Sequence, residues 1–596
     1  MIARIVKEDP YCYVYFAGST REDYLKYAAK VVYAGLNTWK NTKGAWECHI
    51  NAYDFLSRVF LSDISLDDIG KDMKLAPYQY QKKLIYDIVN HQELLLVSPC
   101  GSGKTPIGIG AFLELRNHGF ISQNSVGIIL VKATLKIQWQ KEIGKFSELR
   151  SNIVKSYADV TASYKSKITA LQNKIKACDK IADKAKIKEL KSKIKDYENA
   201  KSEAFDKQFH NNDLLILNYE ALKDKKISEK LKELNIEYIF ADEVHKISNR
   251  KAQLSQAAYE FNYIKYKVGA TATAISNNPE NIFGLYSFIA PNLFPSFSTF
   301  SKQFIRYAGY GRVIGCKNEA VLSEKYKNNI VVVTKEEVSK HLPKLSVNQQ
   351  YCEMTSEQAE MMARILDELK EAKDQEFLLS QKSNDQKDFE DNPEYVSIKA
   401  RIMMLQTFAQ ELSDDPRLLL HSKSEYAIKY ELHNSYSPKT AMMFDLVSEI
   451  LDSGEKVIII SRYVNMLNLI KEDLQQKFPN VKYAEVNGSM NDKERYDNIY
   501  TKFRDNPEYK ILLMSDAGST GTNASTAQYI IEFDLAESYA TQTQRHGRIE
   551  RADSIHKNVF VYQLITKDSY DEIQQLIVNK KETYDSNLIK IFAKGK

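Results

Sequence analysis

Short, continuous apolar runs alternate along this chain with longer stretches whose apolar positions recur every three or four residues. The runs at 94–97, 126–131, 213–217, 236–241, 456–461, 510–515 and 528–534 are apolar almost throughout. Strands buried on both faces have that character. The intervals 107–115, 356–372, 402–420 and 437–451 carry helical spacing instead. Strand and helix in alternation predict an α/β chain with parallel sheets. The two series of runs predict two tandem lobes, divided as 71–300 and 441–596, with a linker and helical region at 301–440. Residues 381–394 are polar and read as a loop. Residues 1–70 form a separate small accessory domain, with strands at 2–6 and 11–16 and helices at 20–34 and 49–59.

The interval 151–210 breaks the pattern. Lysine recurs at 165, 167, 174, 176, 180, 184, 186, 188, 191, 193 and 195. Ile168, Leu171, Ile175 and Cys178 step by three and four, and Ile187, Leu190, Ile194 and Tyr197 do so out of phase. Two helices folded as a hairpin and inserted in the first lobe satisfy both sets. The interleaved Asp179, Asp183, Glu189, Asp196 and Glu198 leave open a solvated, salt-bridged face.

Composition changes this picture little. The 596 residues carry 83 basic and 78 acidic side chains, a net charge of +5, so any nucleic-acid surface must be local. Six scattered cysteines with no CxxC pair argue for a reducing compartment, the cytoplasm, and against a zinc site. No apolar run reaches the ~18 residues of a membrane span. Residues 1–10 are too charged for a secretory signal.

The chemistry begins at Ser98-Pro99-Cys100-Gly101-Ser102-Gly103-Lys104-Thr105. A buried strand, a glycine turn, Lys-Thr and a helix start make a phosphate-binding loop. Glycines let backbone N–H groups close around phosphate oxygens, and the helix points its positive end at them. Lys104 is expected to reach the outer phosphates and Thr105 to ligate Mg²⁺; ATP and Mg²⁺ are the expected cofactors. Gly101, Ser102 and Gly103 line the cradle, although Ser98 stands where the motif opens with glycine. Cys100, if exposed, is expected to be alkylated unless ATP protects it. The strand at 236–241 ends in Asp242-Glu243-Val244-His245. Asp242 would hold the metal and Glu243 would deprotonate the attacking water. His245 would couple this loop to Thr271 and Thr273 in the next motif.

Gln544-Arg545-His546-Gly547-Arg548-Ile549-Glu550-Arg551 matches the QRxGRxxR signature of superfamily-two helicases at every fixed position. Arg548 and Arg551 are then arginine fingers that neutralise charge on the γ-phosphate. Leu75-Ala76-Pro77-Tyr78-Gln79, Gln138-Trp139 and Asn218-Tyr219-Glu220 resemble the Swi/Snf family of ATPases, as does Leu342-Pro343 at the approach to the second lobe. The loop SPCGSGKT and the Arg551-Ala552-Asp553-Ser554 segment depart from that family. The segment 44–53 resembles the accessory module of HARP-type annealing helicases. The resemblance implies two RecA-like lobes with ATP between them and adenine recognition by Gln79. It also implies nucleotide contacts from Gly521 and Gln544, and nucleic-acid contacts from Thr134, Ser461, Arg462 and Asn487. Trp139 reads as a packing residue. The implied activity is ATP-driven translocation on duplex or branched DNA. An RNA helicase and a remodeller of protein–DNA complexes are the alternatives. Protein partners would dock on 151–210 or the N-terminal domain, and no membrane is involved.

Overall fold

The computed structural model describes residues 2–8, 11–17, 31, 37–40, 45–49, 66–178, 183–272, 279–307, 313–382, 392–421, 436–519 and 522–579. The expected helices at 20–34 and 49–59 and the polar loop at 381–394 fall largely outside these residues, as do Thr273 and Gly521.

Four antiparallel strands open the chain: β1 (Ile2–Glu8), β2 (Tyr11–Ala17), β3 (Asn37–Lys40) and β4 (Ala45–His49), in the order β1-β2-β4-β3. The backbone register of β3 and β4 sets position 39 opposite position 46.

The first lobe is a wholly parallel sheet. Its strands are β5 (Glu93–Val97), β6 (Val126–Val131), β7 (Ser151–Ile153), β8 (Leu214–Asn218), β9 (Ile236–Asp242) and β10 (Tyr266–Thr271). A short antiparallel pair, β11 (Ile305–Tyr307) and β12 (Val313–Cys316), follows. Then β13 (Ile330–Val332) returns to the main sheet, giving the order β13-β5-β10-β9-β6-β8-β7. Period-two geometry splits each apolar run between the faces. Leu95 and Val97 pack in one core, Leu94 and Leu96 in the other.

The second lobe repeats the scheme with β14 (Lys344–Cys352), β15 (Val457–Ser461), β16 (Lys482–Val486), β17 (Tyr509–Ser515), β18 (Tyr529–Glu532) and β19 (Asn558–Thr566). They run parallel in the order β14-β19-β18-β15-β17-β16. Val457 and Ile459 face one core, Ile458 and Ile460 the other.

The lobe boundaries need correction. Residues 301–440 are no linker: β13 pairs with β5 and β14 with β19, so each lobe takes an edge strand from this interval. The first sheet ends at Val333, whose N–H donates to the Val97 carbonyl, 2.8 Å. The passage between lobes is the short stretch around the helix Lys335–Ser339. Between β14 and β15, the helices Ser356–Lys382 and Pro393–Asp414 pack through Met362, Ile365, Leu369, Leu405 and Leu412. Within 151–210, β7 takes 151–153 and the helices Tyr157–Lys176 and Lys184–Asp206 follow, with an edge-on Tyr157–Phe205 contact at their base.

One buried ion cluster fastens the helical insertion to the second lobe. Lys439 Nζ lies 2.8 Å from Asp414 Oδ1 and 2.8 Å from Asp571 Oδ2, with all three side chains withdrawn from water. Lys439→Met leaves two carboxylates buried without their cation. The change is expected to cost about 3–5 kcal/mol, read as a lowered denaturant midpoint of the full chain.

Candidate active site

β5 delivers the chain into the phosphate loop. Ser98 N–H donates to the Thr271 carbonyl, 3.0 Å, which ties the loop to β10. The Ser98 hydroxyl donates to Ser102 Oγ at 2.6 Å in a buried contact. The positive backbone φ falls on Gly101 (+77°) and Gly103 (+73°), so a serine is tolerated at 98. Gly103 caps the helix Lys104–Asn117, placing Lys104 and Thr105 in its first turn. Lys104 Nζ donates to the Ser98 and Pro99 carbonyls, 3.3 Å each, within the cradle.

Two strands away, β9 ends at Asp242. Its Oδ2 accepts from Trp139 Nε1–H at 3.3 Å, and its carbonyl accepts from the Tyr219 hydroxyl at 2.7 Å. Its Oδ1 is buried and has no hydrogen-bond partner among the described residues. An orphaned, buried carboxylate oxygen suits a hard cation, so the donor set fits Mg²⁺. Glu243 follows with a left-handed backbone, φ +56°, a conformation that costs about 1–3 kcal/mol in a residue with a side chain. His245 Nδ1 lies 3.3 Å from Glu243 Oε2 and 3.3 Å from Thr271 Oγ1, joining the carboxylate to the end of β10.

The two carboxylates titrate apart. Burial, reinforced by the charge of Glu243, pushes Asp242 up to about 6. Burial opposes ionisation of Glu243 as well, but His245, Lys132, Lys104 and Arg548 outweigh it and hold Glu243 below its usual range. Glu243 is therefore ionised and able to take a proton.

The second lobe supplies the arginines. After the helix Tyr539–His546 the chain turns at Gly547. Arg548 is buried and its Nη1 donates to the Thr522 carbonyl, 3.2 Å. Its Nε has no partner among the described residues, and burial lowers its guanidinium to about 10. Arg551 Nη1 donates to the Thr522 and Gly547 carbonyls, 3.4 and 3.3 Å. The lobes meet here almost backbone to backbone. A Cβ on Gly547 would lie 2.4 Å from Cys100 Cβ, and one on Gly101 would lie 2.2 Å from the Glu550 carbonyl oxygen. Lys335 closes the edge with an ion pair to Glu550, 2.7 Å.

The SNF2-related domain family matches residues 78–418, over half of the chain, and the helicase conserved C-terminal domain matches residues 441–553. The chain belongs to the SNF2-related family. The ATP-dependent helicase MG018 of Mycoplasma genitalium is 23% identical over 497 residues, covering 82% of this chain and 39% of that protein. The putative ATP-dependent helicase/translocase YwqA of Bacillus subtilis is 23% identical, covering 65% and 39%. The ISWI chromatin-remodeling complex ATPase ISW1 of Saccharomyces cerevisiae is 24% identical, covering 62% and 32%. The chain thus spans at most 39% of the length of these relatives. The Sulfolobus solfataricus SWI2/SNF2 ATPase core solved with dsDNA is 22% identical, with 88% and 96% coverage and a TM-score of 0.35.

Within this SNF2-related chain several expected sites are placed differently. Gln79 is exposed at the start of the helix Gln79–Asn90. Gln81 is the glutamine that reaches the loop, accepting from Tyr78 N–H at 2.9 Å and donating to the Ser102 carbonyl at 3.2 Å. The Tyr80 hydroxyl donates to the same carbonyl at 2.8 Å. Gln544 is half-buried on the helix ahead of the arginines. Ser461 is buried with its hydroxyl on Asp534 Oδ2, 2.5 Å, and Asn487 is spent on Glu485 and Ser489. Neither side chain is presented to a ligand, because a neighbouring carboxylate or turn captures a short polar group at a strand end. Arg462 pairs with Glu537. Thr134 lines a cavity between the lobes with Gln138, Arg495, Tyr500 and Thr522. Cys100 is packed against Gly547, and burial pushes its thiol up, which disfavours the expected alkylation. The reading of Trp139 as packing alone missed its bond to Asp242; its position two residues before Lys141 on an amphipathic helix carries no sign of that bond.

Three outcomes are expected. Glu243→Gln should abolish ATP turnover while nucleotide binding persists, and Arg548→Ala should lower turnover by about 10³-fold or more, both measured by steady-state hydrolysis beside equilibrium nucleotide binding. Asp242 holds its proton more tightly folded than unfolded, where a carboxyl titrates near ~3.9, so its ionised form costs stability above pH 6. Asp242→Asn should therefore stabilise the nucleotide-free chain by about 1–3 kcal/mol at pH 8. The gain should shrink toward pH 4, checked by denaturant unfolding at both pH values.

Proposed function

We propose that this chain is an ATP-driven DNA translocase that remodels branched duplexes or protein–DNA complexes. The observation that carries this reading is the apposition of the phosphate loop with Arg548 and Arg551 of the opposite lobe, around Gly101 and Gly547. Lys104 and the loop N–H groups hold the phosphates. The adenine would lie by the rings of Tyr78, Tyr80 and His341, with Tyr78 and His341 4.5 Å apart. Asp242 and Thr105 would hold Mg²⁺, which neutralises phosphate charge. Water attacks the γ-phosphorus, its proton passes to the Glu243 carboxylate, and the bond to the ADP oxygen breaks. Arg548 and Arg551 stabilise the charge that moves onto that oxygen. Because the arginines ride on one lobe and the carboxylates on the other, hydrolysis is tied to lobe movement. His245 passes the state of Glu243 to Thr271.

Duplex DNA is favoured by the family and by the relatives named for chromatin remodelling and translocation. The hairpin 157–206 adds a grip. Its described lysines at 165, 167, 174, 176, 184, 186, 188, 191, 193 and 195 are exposed. Lys193 alone among them has a carboxylate within ion-pair distance in the described residues, Glu189 at 2.5 Å. The other lysines of this face make no direct ion pair among the described residues, which supports their being available to phosphates.

ATPase turnover measured side by side with duplex DNA, single-stranded DNA and RNA tests the reading. Duplex DNA is expected to stimulate most; preferential stimulation by RNA would select an RNA helicase instead. Replacing 157–206 with a short Gly-Ser linker should weaken DNA binding and flatten its salt dependence by about one log–log unit per lost phosphate contact. Unstimulated ATPase should survive, since every residue assigned to hydrolysis lies outside the hairpin.

A further inference from the structure

The chain has three tryptophans, Trp39, Trp46 and Trp139. Trp139 lies on the helix Lys136–Phe146 and is fully buried, its ring 5.6 Å from that of Phe240 on β9. Core packing accounts for the ring. It does not account for the nitrogen, the one polar atom of an indole and a donor only. That N–H donates to Asp242 Oδ2 at 3.3 Å.

An ionised carboxylate offers two equivalent acceptor oxygens. At Asp242 they are made unequal. Oδ2 takes the indole N–H, whereas Oδ1 is buried with no hydrogen-bond partner among the described residues. The main chain of the same residue is held separately, by the Tyr219 hydroxyl on its carbonyl at 2.7 Å. Two different elements thus fix the backbone and the side chain of Asp242. The oxygen left over is the one suited to a hard cation. Outer hydrogen bonds of this kind orient the carboxylates that ligate metals.

The helix that carries Trp139 does not owe its place to that bond. Trp139, Ile143 and Phe240 share one core. Lys136 Nζ lies 3.4 Å from Asp492 Oδ2, and Lys141 Nζ stands 3.7 Å from the centre of the Tyr496 ring, so the second lobe holds the helix on both sides of the indole. Removing the nitrogen alone therefore leaves the ring seated. We propose that Trp139 is a positioning residue for the divalent cation: its N–H occupies Oδ2 of Asp242 and keeps Oδ1 turned to the metal. The inference rests on the ATP hydrolysis proposed above and adds to it a residue that acts through Asp242.

The test uses the full chain, with Trp139→Phe to keep a ring and delete the donor. Fluorescent N-methylanthraniloyl ADP is bound in EDTA, the complex is titrated with Mg²⁺, and the Mg²⁺ dependence of ATP turnover is measured beside it. Trp139→Phe is expected to weaken Mg²⁺ binding to the complex about 10- to 100-fold. The half-saturating Mg²⁺ for turnover should rise by the same factor, while nucleotide affinity in EDTA stays near wild type. An unchanged Mg²⁺ affinity would overturn the proposal. So would an equal loss of nucleotide affinity in EDTA, which marks a distorted phosphate loop. A second measurement needs no change at Trp139. With ¹⁵N-labelled tryptophan, the indole signal that survives both Trp39→Phe and Trp46→Phe belongs to Trp139. It is expected to shift when Mg²⁺ is added to the ADP-bound chain, and a signal that does not move would also overturn the inference. Failure of the wild type to bind the nucleotide at all would defeat the ATP reading itself, and this inference with it.

Discussion

The organisation of the site depends on two backbones approaching without side chains between them. Gly101 and Gly547 stand where the phosphate loop of one lobe meets the arginine-bearing turn of the other, and a Cβ at either would overlap the facing chain. That approach brings Arg548 into the electrostatic range of Glu243 and Cys100. Its cost is a buried guanidinium with an unsatisfied Nε. A polyphosphate placed there would meet donors from both lobes together, and a separated pair of lobes would offer it only one set.

The parallel sheets make this approach reproducible. Within each main sheet every strand runs the same way, so each loop that follows a strand emerges on one edge of that sheet. On the first lobe that edge carries the phosphate loop after β5, Lys132 after β6, Tyr219 after β8, Glu243 after β9 and Thr271 at the end of β10. Short contacts lock these ends to one another: Ser98 to Thr271, Tyr219 to Asp242, His245 to Thr271. The second lobe answers with a buried network in which Arg545 bridges Asp516 and the Asp534 carboxylate, which in turn holds Ser461 and the Arg462 backbone. The turn that bears Arg548 and Arg551 is thereby anchored to two strand ends.

The helical additions grow from the margins of the two sheets. The hairpin Tyr157–Lys176 and Lys184–Asp206 grows between β7 and β8 at one margin of the first sheet. The insertion Ser356–Asp414 follows the edge strand β14 and is sealed to the second lobe by Lys439 with Asp414 and Asp571. Loops at sheet margins lengthen without disturbing the central register, because chain closure grows only slowly more costly with length.

The two-lobe parallel architecture was legible in the residues because doubly buried strands must be apolar throughout and phosphate loops must use glycine. The loop from Ser98 to Thr105, the pair Asp242–Glu243 and the arginines 548 and 551 were readable for the same reason, each being a local pattern imposed by chemistry. Contacts between distant segments left no such pattern. Trp139 looks like any buried aromatic on a helix until β6 and β9 bring its indole N–H to Asp242. Ser461 and Asn487 look like polar strand exits until the fold encloses them. The membership of β13 and β14 in opposite sheets and the reach of Gln81 rather than Gln79 to the loop were decided by register and packing. Periodicity reports which face a residue shows; only the assembled sheet determines which neighbour it meets.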